Sequence, residues 1–136
     1  FAMVGGEDEY FKAHKLHTLC NVFFTGEKPQ SSIPAYVTSF DVCMNPQKIN
    51  KITIGNYPRK IDEYLALGKP VIATRTKTMS IFEDYVWNCT NADEYVAAIE
   101  EALQAHSAEQ SLRRIEFAHT HTWENSVHKL YSHINL

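Results

Sequence analysis

The sequence has 136 residues, the size of one domain, and 44% of them are hydrophobic, an ordinary fraction for a folded core. Its formal charge is −3, from 13 basic and 16 acidic residues with no basic stripe, so double-stranded nucleic acid is not expected as a partner. Cys20, Cys43 and Cys89 are odd in number, far apart and without a CxxC, which excludes a disulfide framework and suits a reducing, cytoplasmic location.

In chain order, Phe1 to Val4 reads as a short buried strand ending in the flexible pair Gly5-Gly6. Glu7, Asp8 and Glu9 then precede Tyr10, Phe11, Leu16 and Leu19, a helix with negative charge at its start. Asn21 to Gly26 (NVFFTG) is a second strand, closed by Gly26 and Pro29. Ser31 and Ser32 can cap a short helix carrying Ile33, Tyr36, Val37 and Phe40, and Asp41 to Asn45 is a third strand stopped by Pro46. A polar loop without clear period follows to Tyr57. Pro58 suits the first turn of a helix and Gly68 its C-terminal glycine position, before a fourth strand, Pro70 to Thr74. Tyr85 to Cys89 is a fifth strand, Asn91 with Glu94 predicts a capped helix to about His106, and Ser107 with Gln110 repeats that pattern. A last helix runs from Thr122 to Ile134.

Strands alternate with helices, and the strands lack polar alternation. The predicted fold class is therefore α/β, a Rossmann-like, open, doubly wound parallel sheet with flanking helices. In such sheets ligands bind outside the carboxyl ends of the strands, so the loops after Val4, Phe24, Met44 and Ala73 are the places to search. The longest apolar runs are only a few residues, and none is long enough to span a membrane.

Several chemistries lack an anchor. GxGxxG, GxxxxGK[ST], DxD and HExxH are all absent, and neither a metal nor a cofactor is expected. The helix from Pro58 to Leu67 is more informative. Ile61, Tyr64, Leu65 and Gly68 share one face that should pack on the sheet, with Lys60 and Glu63 together on the adjoining flank. Arg59 and Lys60 stand in the first turn, where cations oppose the helix macrodipole. An anion bound at that helix end, a diphosphate for example, would remove the conflict, and Glu63 could accept hydrogen bonds from vicinal hydroxyls. Spacing alone leaves the plainer reading open, in which Arg59 and Lys60 are solvated and Glu63 pairs with one of them on the surface.

The string PRKIDEYLALGKPVIAT, Pro58 to Thr74, resembles the P-x-K-x-x-E-Y-L-A-x-G-K-P-V-[IV] segment of GT-B-fold glycosyltransferases, in particular the bacterial family-4-like (group 1) enzymes. NVFFTGEKP with IPAYVTSFDVCMNP resembles their strand–loop–helix–strand run, and TWENSVHKLY their terminal helix. The resemblance implies that residues 1–136 are the nucleotide-sugar donor-binding domain from the C-terminal half of a GT-B fold, a fragment truncated at its N-terminus. An acceptor domain, the first βα unit and any catalytic base would lie upstream, so this chain alone should not transfer sugar. The last helix would reach back to that missing half.

The same resemblance implies roles. Lys60 would contact the pyrophosphate or transferring sugar, and Glu63 would hold ribose hydroxyls. Asn56 and Tyr57, beside Arg59, would touch the phosphates or sugar, and the loop around Gly26 and Glu27 would meet the base through its backbone. The donor would be UDP- or GDP-linked, and the acceptor a polysaccharide, a lipid-linked molecule or similar. Any membrane association, at the inner face, would come only through the absent half. Many such enzymes carry two glutamates eight positions apart, whereas Gly55 stands eight residues before Glu63 here. Two alternatives stay open: half of a nucleotide-sugar 2-epimerase, and a non-catalytic α/β binding module.

Other residues read as structural. His14, His17, His119, His121, His128 and His133 are taken as surface histidines rather than a metal site, Trp123 as core packing, and Met44 and Met79 as gap-fillers.

Overall fold

The computed structural model describes residues 1–134, and the chain divides into two units, Phe1–Tyr36 and Val37–Leu136. In the first unit β1 (Ala2–Met3) pairs in parallel with β2 (Phe23–Phe24), with Ala2 opposite Phe23 and Met3 opposite Phe24. The expected buried strand is instead exposed. A unit of this size holds too little chain to enclose a core, and none of residues 1–36 is fully buried. The helix expected from Glu7 to Leu19 also stops early. Asp8 caps α1 (Glu9–Lys12), but His14 turns to extended backbone and its Nδ1 accepts from Leu16 N, which starts a separate 3-10 turn, Lys15–Thr18.

His14 and His17 are not isolated on the surface. The His17 ring stacks on Phe24 at 3.8 Å, its Nε2 lies 2.7 Å from Glu7 Oε2, and Phe11 packs against both histidines. The helix α2 (Ile33–Ser39) forms where expected, but its serines do not cap it. Ser32 Oγ donates back to Pro29 O at 2.8 Å, because a 3-10 turn, Gln30–Ser32, runs directly into the helix.

The second unit is built on a three-stranded parallel sheet of order β3-β4-β5: β3 (Cys43–Asn45), β4 (Val71–Thr74) and β5 (Val86–Cys89). Parallel neighbours need crossover connections, supplied by α3 (Arg59–Ala66) between β3 and β4 and a 3-10 run, Lys77–Phe82, between β4 and β5. Three helices complete the unit: α4 (Ala92–Ala105), α5 (Ala108–His119) and α6 (Trp123–His133). In the central strand Val71, Ile72 and Ala73 are all fully buried, which alternating side chains allow only when both faces are covered. On one face Ile72 and Cys89 pack with Ala98 and Ala102 of α4. Helix α3 lies against β3 and β4 and carries α5 on its outer side. The chain is an α/β fold of parallel strands flanked by helices, as the alternation of elements predicts.

Local chemistry fixes α3 at both ends. Gly68 adopts φ 70°, its N–H bonds Leu65 O at 2.8 Å, and Lys69 N–H bonds Tyr64 O at 3.1 Å, the paired closure that favours glycine after a helix. A Cβ at Gly68 would lie 3.1 Å from Ser111 Cβ, so the glycine also permits the close approach of α5. Lys69 Nζ donates to Thr38 O and Phe40 O at 2.6 and 2.7 Å and so holds the end of α2. Arg114 is buried, its guanidinium 5.7 Å from the Trp87 ring centroid and its Nη1 donating to Gly68 O at 3.4 Å. Asn91 and Ser107 accept from the backbone N–H three residues on, as their sequence patterns predict, and Thr122, expected as the first residue of the last helix, is its N-cap in the same way. Among the described residues no helix is long and apolar enough to cross a membrane.

Candidate functional site

Helix α3 rises from the loop that follows β3. Of the predicted apolar face Ile61 and Leu65 are 0% exposed and Gly68 is buried, while Tyr64 is half-buried. That anchoring leaves Lys60 and Glu63 exposed on the flank, one turn apart on a rigid element. Among the described residues no hydrogen bond or ion pair occupies either side chain, so Glu63 does not pair with the neighbouring cations.

The start of the helix is open to an anion. Pro58 is its N-cap rather than its first helical residue, and it offers no capping side chain. Ile61 N–H bonds back to Pro58 O and Arg59 N–H to Tyr57 O, while the Lys60 N–H has no partner among the described residues. The two cations of this turn differ in their surroundings. Arg59 lies 5.5 Å from the Trp123 ring centroid of α6, a cation–π contact, and Lys60 is left free. Asp62 also sits in the first turn and offsets part of the macrodipole conflict that Arg59 and Lys60 create.

Asp62 anchors a cluster that the sequence does not advertise. Tyr57 Oη–H donates to Asp62 Oδ2 at 2.7 Å, and His121 Nδ1 lies 3.6 Å from Asp62 Oδ1, both of these last atoms being shielded from solvent and without a hydrogen bond. His121 packs edge-on to Phe117 at 4.5 Å and near Phe82 at 6.0 Å, and Tyr57 lies 5.7 Å from Phe82. His121 is thus a half-buried partner of Asp62 and not a surface histidine. Trp123, expected in the core, is 72% exposed because α6 buries none of its residues. Burial pushes the Asp62 carboxyl up, against the lowering influence of Tyr57, His121 and Arg59. Burial and then the bond to Asp62 push the Tyr57 hydroxyl up, so it stays a donor. The short Tyr57–Asp62 separation was a possible signal, but nothing local links Asp62 to a histidine some sixty residues on.

The remaining candidates are placed as follows. Asn56 is exposed, and its carbonyl accepts from Thr78 Oγ1 at 3.0 Å. Thr74 Oγ1 at the carboxyl end of β4 accepts from Gln47 N–H at 2.8 Å and shares a 2.9 Å hydrogen bond with Tyr95 Oη. Gly55 is exposed, and a Cβ built there meets nothing within 4 Å. Gly26 and Glu27 belong to the first unit. Gly26 has φ 69° and its carbonyl accepts from Gly5 N–H at 3.1 Å, and Glu27 is exposed.

A parallel α/β sheet, a buried-faced helix at the carboxyl ends of its strands and an ordered E-Y-L-A-x-G-K-P segment define a class. The model of the family described as glycosyl transferases group 1 matches residues 1–105. The chain belongs to this family. It is also similar to a protein of Bacillus subtilis (strain 168) named "Putative teichuronic acid biosynthesis glycosyltransferase TuaH", at 30% identity over 115 residues. That match covers 80% of this chain, and the chain spans 29% of the length of that relative. Helices α5 and α6, with His121 and Trp123, lie beyond the family match.

Proposed function

We propose that this chain binds the nucleotide-diphosphate-sugar donor of a glycosyltransferase, with α3 as the binding element. One observation carries the proposal: Lys60 and Glu63 stand exposed and unpartnered at the uncapped start of a helix whose other face is fixed in the core. The Lys60 side chain and its own free N–H at that helix end receive the diphosphate, and Glu63 accepts from the ribose hydroxyls. In the whole protein these positive groups stabilise the departing nucleoside diphosphate, an electrostatic contribution that needs no metal. Asn56, Tyr57 and Arg59 line the approach, Tyr57 and Arg59 being held by Asp62 and Trp123. For Gly26 and Glu27, in the other unit, the proposed role is backbone contact with the base.

The acceptor domain of the full-length protein is the proposed partner of this chain. Support comes from α6, which buries none of its residues and exposes Trp123, Val127, Leu130 and Tyr131. A polysaccharide or lipid-linked acceptor and a location at the inner face of the membrane remain part of the same proposal.

Titrating UDP and GDP into the full-length protein tests the donor site. Replacing Lys60 with Ala should weaken binding about tenfold to a hundredfold, the usual range for a lost charge-assisted contact. Unchanged affinity in both Lys60→Ala and Glu63→Gln would remove α3 from the account.

A further inference from the structure

Parallel strands place all their amino ends on one side of the sheet, away from the carboxyl ends where α3 begins. On that side the second unit holds a cavity of about 320 Å³, within the range of small-molecule sites. Its walls come from the residues that lead into β5, from the second half of α4 and from the first half of α5.

Arg114 lines this cavity and is only 4% exposed. A guanidinium carries five donors, yet among the described residues this one makes a single hydrogen bond, the long 3.4 Å contact with Gly68 O. Its position over the Trp87 ring holds the plane of the fork in place. Gln110, one turn earlier on α5, lines the same cavity, and its Oε1 is shielded from solvent without a hydrogen bond. Buried polar groups left in this way are costly unless something else satisfies them. Exposed side chains complete the lining: Arg113 on one element and the carboxylates of Glu83, Asp84 and Glu101 on others. Among the described residues no ion pair joins these carboxylates to either arginine, so the cavity keeps the two signs apart.

That arrangement selects among ligands. A free anion would face three carboxylates, and a metal cation would face two guanidinium groups. A neutral molecule whose groups both donate and accept satisfies both sets, and a hydroxyl does so. Half-buried Tyr85 and Trp87 add apolar surface, and Tyr85 is held by stacking on Phe117 at 3.9 Å.

We propose that this cavity binds a neutral saccharide, with Arg113 and Arg114 donating to its hydroxyl oxygens and Gln110, Glu83, Asp84 and Glu101 accepting from its hydroxyl groups. The ligand is then a sugar unit of the acceptor or product chain, held apart from the reacting groups. The site is independent of the donor reading, since none of its residues is assigned to the nucleotide. Gln110, Arg113 and Arg114 also lie beyond residues 1–105, which the family model matches.

Saturation-transfer NMR of the full-length protein with glucose, galactose, N-acetylglucosamine and their disaccharides tests the proposal. At least one should respond at millimolar concentration, and the response should persist under saturating UDP or GDP. Arg114→Lys keeps the charge but loses the fork, and should weaken binding about tenfold or more. Because Arg114 is buried, two milder variants keep the test independent of its folding: Arg113→Ala and Gln110→Ala should each weaken binding about threefold to tenfold and leave nucleotide affinity unchanged. Absence of a response from every saccharide at tens of millimolar would overturn the proposal. So would a response that the Arg113 and Gln110 variants leave intact, or one that UDP displaces or Lys60→Ala abolishes, which would assign the sugar to α3. Preferential binding of inorganic phosphate or glycine, lost in the same variants, would overturn the choice of a neutral saccharide.

Discussion

Asp62 is the residue whose environment makes the sharpest demand. Its carboxyl is raised above the ordinary 3.8 by burial, so the folded protein holds its proton more tightly than the unfolded chain does. The stability this contributes is fully present below the ordinary value and is lost as pH rises through the raised one. Asp62→Asn keeps an acceptor for Tyr57 but has no charge to desolvate. Thermal midpoints should therefore favour Asp62→Asn over the wild type at neutral pH, with the difference shrinking toward strongly acid pH. A wild-type advantage that grows with pH would mean that His121 and Arg59 outweigh burial. At position 55 the structure has room for the acid that the resemblance leads one to expect. Gly55→Glu should fold with an unfolding free energy within about 0.5 kcal/mol of the wild type, the usual bound for an unconstrained surface position. A large loss would show that the loop demands glycine.

At the scale of elements, α3 and its closing glycine decide the geometry of the candidate site. Gly68→Ala would force a residue with a Cβ into the left-handed region and toward Ser111, and chemical denaturation should report a loss of about 1–3 kcal/mol. This helix was legible in the sequence because each local signal agreed: the apolar spacing of Ile61 and Leu65, the glycine at its end and the strand that follows. The caps at Asn91 and Ser107 were legible for the same reason, since an N-cap and the N–H it accepts from lie within one turn. The first unit was not. Tyr10, Phe11, Leu16 and Leu19 carry helical spacing, but His14 bonds the backbone ahead of it and breaks the helix, a competition that periodicity does not register. The Tyr57–Asp62–His121 cluster was hidden because it depends on α5 and α6 folding back toward α3.

For the molecule as a whole, burial orders its cysteines. Cys43 and Cys89 are buried and Cys20 exposed, and burial pushes the Cys43 thiol up to about 11. Under native conditions a thiol reagent should modify one cysteine rapidly, Cys20, and the other two only on unfolding, read by mass after timed quenching. Equal rates at all three would mean that the sheet does not close over β3 and β5. Family membership and the parallel α/β architecture make donor binding the central claim, and Lys60 and Glu63 its residues. The most direct test is a titration of UDP and GDP followed through backbone amide signals. The signals of Lys60 and Glu63 should move first, and Lys60→Ala should weaken the response. Signals of α3 that stay in place at millimolar nucleotide, while others shift, would contradict it.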